Sequence, residues 1–172
     1  MVVPITILEV NSLSDDNFEA TFGNVIELCS GAAAYVKDKR PFNNVSDLCN
    51  EFHTYLEQLN VQDQVEVLKL HPDLAGSLAA RGELTKESAE EQRTAGLEQL
   101  TPQMKKTMDQ YNQRYKEKFG FPFIICAKEN KIQSIISGLQ KRYNNSYEQE
   151  INTGINEVKK ICKLRILDIV KN

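Results

Sequence analysis

"FPFIICA", residues 121–127, decides the fold class. It is apolar, bounded by Gly120 and Lys128, and too short for a stable helix of its own. It reads as a buried strand or an extended segment. A strand needs a partner, because every buried main-chain N–H and C=O must be satisfied. Working outward in both directions, no good second strand appears. The stretch is therefore expected to be extended chain inside an all-α protein, where its main-chain groups can face a ligand or merely link two helices.

The flanking sequence is helical. "TPQMKKTMDQYNQRYKEKFG", residues 101–120, carries Thr101 as N-cap, Pro102 at the first helical position and Gly120 just past the end. "FGNVIELCSGAAAYVKDK", residues 22–39, places Phe22, Val25, Ile26, Cys29, Ala33 and Val36 at a period near 3.6 and predicts a helix ended by Arg40-Pro41-Phe42. Further helices are expected over 46–59, with Ser46 or Asp47 as N-cap, and over 62–70. A short helix closed by Gly82 follows, then one opening at Thr85. The last opens with a capping box at Ser146 and runs to the C-terminus. The expectation is one multi-helix domain over residues 1–172, with seven or more helices and no substantial sheet.

Composition excludes several function classes. The 172 residues are 41% hydrophobic and 26% charged, as in a soluble globular chain. A net charge of −3 lacks the basic footprint of a nucleic-acid binder. No run approaches the roughly 18 apolar residues of a membrane span. "MVVPITILEV" lacks the basic start and cleavage site of a signal peptide. Cys29, Cys49, Cys126 and Cys162 are scattered in apolar segments, which suits buried free thiols better than disulfides or zinc. Asn44 and Asn144 match the glycosylation sequon, which has meaning only in a secreted protein.

Three features carry candidate chemistry. The chain has two histidines. His53 falls near Cys49, Phe52 and Leu56 and reads as a packing or surface residue. His71, in "LKLHPDLAG" at 68–76, stands at a helix end directly before Pro72. Proline disfavours helical backbone at the residue preceding it, so the imidazole is held at a corner, as a general acid or base requires. Ser88, Glu91 and Gln92 share one helix face, which by itself is more often solvated than catalytic. Arg165 falls on the apolar stripe of the last helix with Ile151, Ile155, Val158, Cys162 and Ile169. Buried there, it must meet a carboxylate, carbonyls or an anionic ligand; otherwise it snorkels to water. There is no HExxH, GxSxG, P-loop or GxGxxG motif.

The strings "HPDLAG" (71–76), "LTKESAEEQRTAGL" (84–97), "KFGFPFIICAKEN" (118–130) and "EVKKICKLRILDIV" (157–170) together resemble one family, the 2-oxo-4-hydroxy-4-carboxy-5-ureidoimidazoline (OHCU) decarboxylases. "FGNVIELC" and "RPF" at 40–42 fit it too, so the resemblance spans nearly the whole chain. It implies an all-α fold without cofactor or metal, usually a homodimer, that decarboxylates OHCU to (S)-allantoin in urate breakdown. By the same resemblance His71 and Glu91 are catalytic. Pro72, Ser88, Gln92, Phe121, Phe123, Ile124, Ile125 and Arg165 face the substrate, with the main chain of residues 121–125 holding the ureidoimidazoline. Animal members often reside in peroxisomes through a tripeptide resembling SKL; Val170-Lys171-Asn172 does not match it, and the cytoplasm is the other expectation. A catalytically inactive helical module and a hydrolase of a related ureide remain as alternatives. Which residue protonates the intermediate is not legible.

Overall fold

The computed structural model describes residues 3–171. Met1 and Val2, where the reading of the N-terminus begins, and Asn172 of the terminal tripeptide lie outside them. The described residues form ten α-helices: α1 (Ile7–Ser12), α2 (Asp15–Phe22), α3 (Ser30–Val36), α4 (Val45–Gln58), α5 (Val61–Lys69), α6 (Ser77–Ala80), α7 (Lys86–Thr94), α8 (Pro102–Phe119), α9 (Ile132–Arg142) and α10 (Tyr147–Ile169). There is no strand among them, only one isolated parallel bridge between Ile5 and Val170. None of these helices is long and apolar enough to cross a membrane.

Two compact units are present, Met1–Gln64 with Val158–Asn172, and Val65–Glu157. The division falls within α5 and α10. In the first unit α3 packs on α2 and α4. Its core gathers Phe18, Phe22, Leu48, Phe52, Leu56, Cys162 and Ile166, with the Phe18 and Phe22 rings 4.7 Å apart. Ile5 N donates to Ile169 O at 2.9 Å and Lys171 N to Ile5 O at 2.7 Å, so an early and a late segment are tied together. His53 is half-buried, its Nε2 3.1 Å from Lys159 O; since a carbonyl only accepts, Nε2 carries the hydrogen. Burial holds its pKa below the ordinary histidine value.

The helix expected over 22–39 does not form as one piece. It is broken over residues 23–29, where Asn24 Oδ1 accepts from Leu28 N at 2.7 Å and Leu28 takes φ 52°. Asparagine's short side chain competes with the helical ladder in this way. The N-cap of α4 is Asn44, not Ser46 or Asp47, and its Oδ1 accepts from Asp47 N at 2.8 Å. The short helix before Gly82 is a single turn, α6. Helices α1, α2 and α9 escaped the sequence reading altogether.

The second unit is built on α8, which is punctuated as expected. Thr101 Oγ1 accepts from Met104 N at 3.1 Å, and Gly120 at φ 80° closes the helix in the left-handed region. Reversal at Gly120 delivers residues 122–126, neither helix nor strand, against the buried aromatic face of α8. The Tyr115 and Phe123 rings lie 5.4 Å apart, nearly perpendicular. Gly138 on α9 faces this segment: a β-carbon there would sit at ordinary contact distance, 3.4 Å from Phe123 Cζ and 3.6 Å from Ile125 Cδ1. The segment is thus buried without a sheet. Its polar groups turn to side chains: Arg142 Nη1 donates to Ile124 O at 2.7 Å, Cys126 N to Glu157 Oε1 at 3.0 Å, and Asn130 Nδ2 to Cys126 O at 2.9 Å.

Candidate active site

His71 follows the end of α5. Leu70 N and His71 N still donate to Val67 O and Leu68 O at 3.1 and 3.3 Å, but the helix goes no further. The imidazole folds back onto its own helix, with Nδ1 3.1 Å from Val67 O. The carbonyl can only accept, so Nδ1 carries the hydrogen and Nε2 is the nitrogen whose protonation can change. Tautomer and ring orientation are therefore set by the main chain one helical turn back. His71 is buried, at 9% exposure.

The loop after His71 is held from two helices. Gln92 on α7 accepts from Ala75 N through Oε1 at 2.9 Å and donates from Nε2 to Asp73 O at 3.3 Å. From α8, Asn112 Nδ2 donates to Leu74 O at 2.9 Å, and Lys116 Nζ pairs with Asp73 Oδ2 at 2.9 Å. These bonds sustain Ala75 at φ 52°, a left-handed conformation that costs a residue with a β-carbon about 1–3 kcal/mol and survives only where its surroundings over-determine it.

Ser88, Glu91 and Gln92 are all buried, at 4%, 9% and 5% exposure. The solvated-face reading of these three is overturned: α7 turns its polar face inward. The helix opens at Thr85, whose Oγ1 accepts from Ser88 N at 3.3 Å, and packs on the turn at residues 127–129 that ends the extended segment. Burial first, then the carboxylates of Glu129, Glu157 and Glu91, push the Cys126 thiol up to about 11. A thiol so placed is no nucleophile at neutral pH.

A cleft of about 300 Å³ is lined by His71, Pro72 and Phe121, with Lys69, Asp73 and Lys116 among its charged walls. Ser88, Glu91 and Gln92 do not line it. Gln92 instead borders a larger, mainly apolar cavity of about 460 Å³ beside Ala75 and Gly76. Of the remaining expected residues, Phe123 and Ile124 are buried and Ile125 half-buried. No cluster of three His, Cys, Asp or Glu side chains suited to a metal ion occurs among the described residues.

Arg165 lies in the first unit and is described with it. It is 4% exposed, so the snorkelling alternative is excluded. Nη1 donates to Asn24 O at 2.8 Å and to Glu27 Oε1 at 3.0 Å, with Glu27 itself 2% exposed. The break at residues 23–29 is what brings both acceptors to it. Sequence reasoning missed Glu27, Asn112, Arg142 and Glu157. Glu157 left a signal: with Glu150, seven residues earlier, it marks one edge of the apolar stripe of α10, and both are buried.

Known proteins resemble this chain over nearly its whole length. The family model for OHCU decarboxylase matches residues 11–167. The 2-oxo-4-hydroxy-4-carboxy-5-ureidoimidazoline decarboxylase of Xenopus laevis is 44% identical over 163 residues, 95% of this chain and 93% of the relative. Its counterpart in Amia calva is 45% identical over the same shares of the two chains. Two solved structures share the fold. An OHCU decarboxylase crystallised in the presence of (S)-allantoin matches at TM-score 0.69 and 24% identity, over 91% of this chain and 97% of that one. An (S)-allantoin synthase matches at TM-score 0.79 and 19% identity, over 98% of this chain and 54% of that one. This chain belongs to the OHCU decarboxylase family.

Proposed function

We propose that the protein is a cofactor-independent carbon–carbon lyase that decarboxylates OHCU to (S)-allantoin. The observation that carries the reading is the position of His71: a buried imidazole whose Nδ1 lies 3.1 Å from Val67 O, which leaves proton exchange to Nε2. OHCU bears its carboxylate on a carbon that also carries a hydroxyl and adjoins a ring C=N. When CO2 leaves, the bonding pair forms a double bond to the former imine carbon, and the ring nitrogen takes the imine electrons and a proton. The hydroxyl then loses its proton to become the carbonyl while the former imine carbon is protonated, which gives allantoin. The substrate supplies its own electron sink. The protein has to orient the carboxylate, control the hydroxyl proton and stabilise the charge that develops.

In this account His71 Nε2 bonds the substrate hydroxyl and manages its proton. Glu91 favours the charged imidazolium that results. Ser88 and Gln92 bond the ring and ureido groups. The Gln92 amide already serves the 73–75 loop, yet each of its ends retains capacity for a second bond. Pro72 and the residues Phe121, Phe123, Ile124 and Ile125 shape and line the substrate's place, with main-chain groups directed at the ring. The role that the resemblance gives Arg165, receiving the anionic group, is a separate proposal with its own test below.

Product identity tests the reading. Freshly generated OHCU should release CO2 faster than its spontaneous decay when the protein is added. A hydrolase of a related ureide would release none, and an inactive module would leave the background rate unchanged. Homodimer formation and peroxisomal residence are proposed on the resemblance alone. Sedimentation equilibrium giving a monomer across micromolar concentrations, or a cytosolic distribution on cell fractionation, would reject them.

A further inference from the structure

An extended chain directs its N–H and C=O groups to its two edges alternately, residue by residue. In residues 122–126 the even-numbered edge is held by helix side chains in place of a neighbouring strand: Arg142 Nη1 donates to Ile124 O at 2.7 Å and Glu157 Oε1 accepts from Cys126 N at 3.0 Å. On the other edge, the amides of Phe123 and Ile125 make no main-chain hydrogen bond among the described residues.

Arg142 is itself fixed from several directions. Its Nε donates to Glu150 Oε1 at 2.9 Å, and its guanidinium lies over the Phe123 ring at 4.3 Å. Glu150 is fully buried and also receives the Tyr115 hydroxyl and, at 2.9 Å, Asn145 Nδ2. A guanidinium can serve Glu150 and Ile124 at once from separate nitrogens; an ammonium, with one nitrogen on a flexible stem, cannot reproduce that fork.

We propose that Arg142 is a positioning residue for the decarboxylation: by gripping Ile124 O and capping Phe123, it sets the register and tilt of the extended segment so that the Phe123 and Ile125 amide edge is presented to the ureidoimidazoline. The proposal rests on the decarboxylase reading above. Arg142 itself touches no substrate, and its effect is on how well the segment is aimed.

Arg142→Lys keeps the charge beside Glu150 but loosens the hold on the carbonyl. The folded variant should raise KM for OHCU about tenfold while kcat changes less than about threefold, the signature of a lost interaction that holds ground state and transition state alike. Amide hydrogen exchange within residues 121–127 should quicken, with the middle of α8 unchanged. Glu150→Gln loses the charge but keeps an accepting oxygen for Nε, so its KM should rise clearly less than that of Arg142→Lys, even where it melts earlier. Arg142→Met, which keeps the stem on Phe123 and loses every donor, should show the larger KM rise. A folded Arg142→Lys with wild-type KM or unchanged exchange overturns the proposal. So does an equal KM rise in Glu150→Gln, which would make the network one of general stability. Failure of both Arg142 variants to fold would make the residue structural and equally end it. Failure of the decarboxylase reading is distinguished beforehand, by a wild-type protein that does not turn OHCU over.

Discussion

Arg165 shows how far a single residue could be read. Its place on the apolar stripe of α10 predicted a buried guanidinium with a partner, and it is buried. The partner was not legible. In a continuous helix over 22–39 Glu27 would fall opposite the apolar stripe; in the broken chain, where Asn24 Oδ1 accepts from Leu28 N, it is buried against Arg165. The Gly23-Asn24 pair was the available signal. A buried ion pair adds little net stability, but removal of one partner strands the other charge at a cost of about 3–5 kcal/mol. Glu27→Ala should therefore lower the free energy of urea unfolding by about that amount, whereas Glu27→Gln, which keeps an accepting oxygen, should lose less. A Glu27→Ala chain as stable as wild type would show that the guanidinium is satisfied elsewhere. Arg165→Lys keeps the charge and loses the geometry. If Arg165 receives the substrate's anionic group, KM for OHCU rises in that variant, and unchanged kcat and KM would remove the assignment.

End signals were read for α8 but passed over for α1 and α2, where the side chains of Thr6 and Ser14 accept from Glu9 N and Asn17 N. α8 carries Thr101, Pro102 and Gly120, and its observed bounds agree with them. α9 has Lys131 as its N-cap, a residue without a capping oxygen; its start is marked instead by Ser134 Oγ, which accepts from Lys131 N at 2.9 Å. The apolar spacing of Ile132, Ile135, Ile136 and Leu139 was the signal passed over. The extended segment between α8 and α9 was predicted as such, but not what satisfies it, because Arg142 and Glu157 stand 18 and 31 residues from the groups they bond. Gly138 tests how closely α9 must approach that segment. Gly138→Ala places a β-carbon at ordinary contact distance, 3.4 Å from Phe123 Cζ. The gain in helix propensity, about 1 kcal/mol, should then leave stability equal to wild type or slightly higher. Gly138→Leu has no room beside Phe123 and Ile125, and should cost about 1–3 kcal/mol by overpacking. Denaturant midpoints that rank the two variants the other way would contradict this packing.

For the whole molecule, four strings in order along the chain carried the family, and family membership follows from the matched relatives. Physics alone stopped at a helical protein with an acid–base histidine, because function depends on groups from separate helices that no local pattern joins. The tautomer of His71, the inward polar face of α7 and the side-chain hold on residues 121–127 belong to the folded chain alone. Together they support one claim, that His71 drives a stereospecific loss of CO2 from OHCU. The most direct measurement is the circular dichroism of allantoin formed from fresh OHCU by equal amounts of wild-type protein and folded His71→Asn. The wild type should give a rapid (S) signal. His71→Asn, unable to exchange a proton, should be slower by about 10²–10⁴-fold, so that racemic spontaneous product leaves the trace nearly flat. A wild-type trace no faster than the spontaneous reaction, or a folded His71→Asn within about tenfold of wild type, would contradict the account.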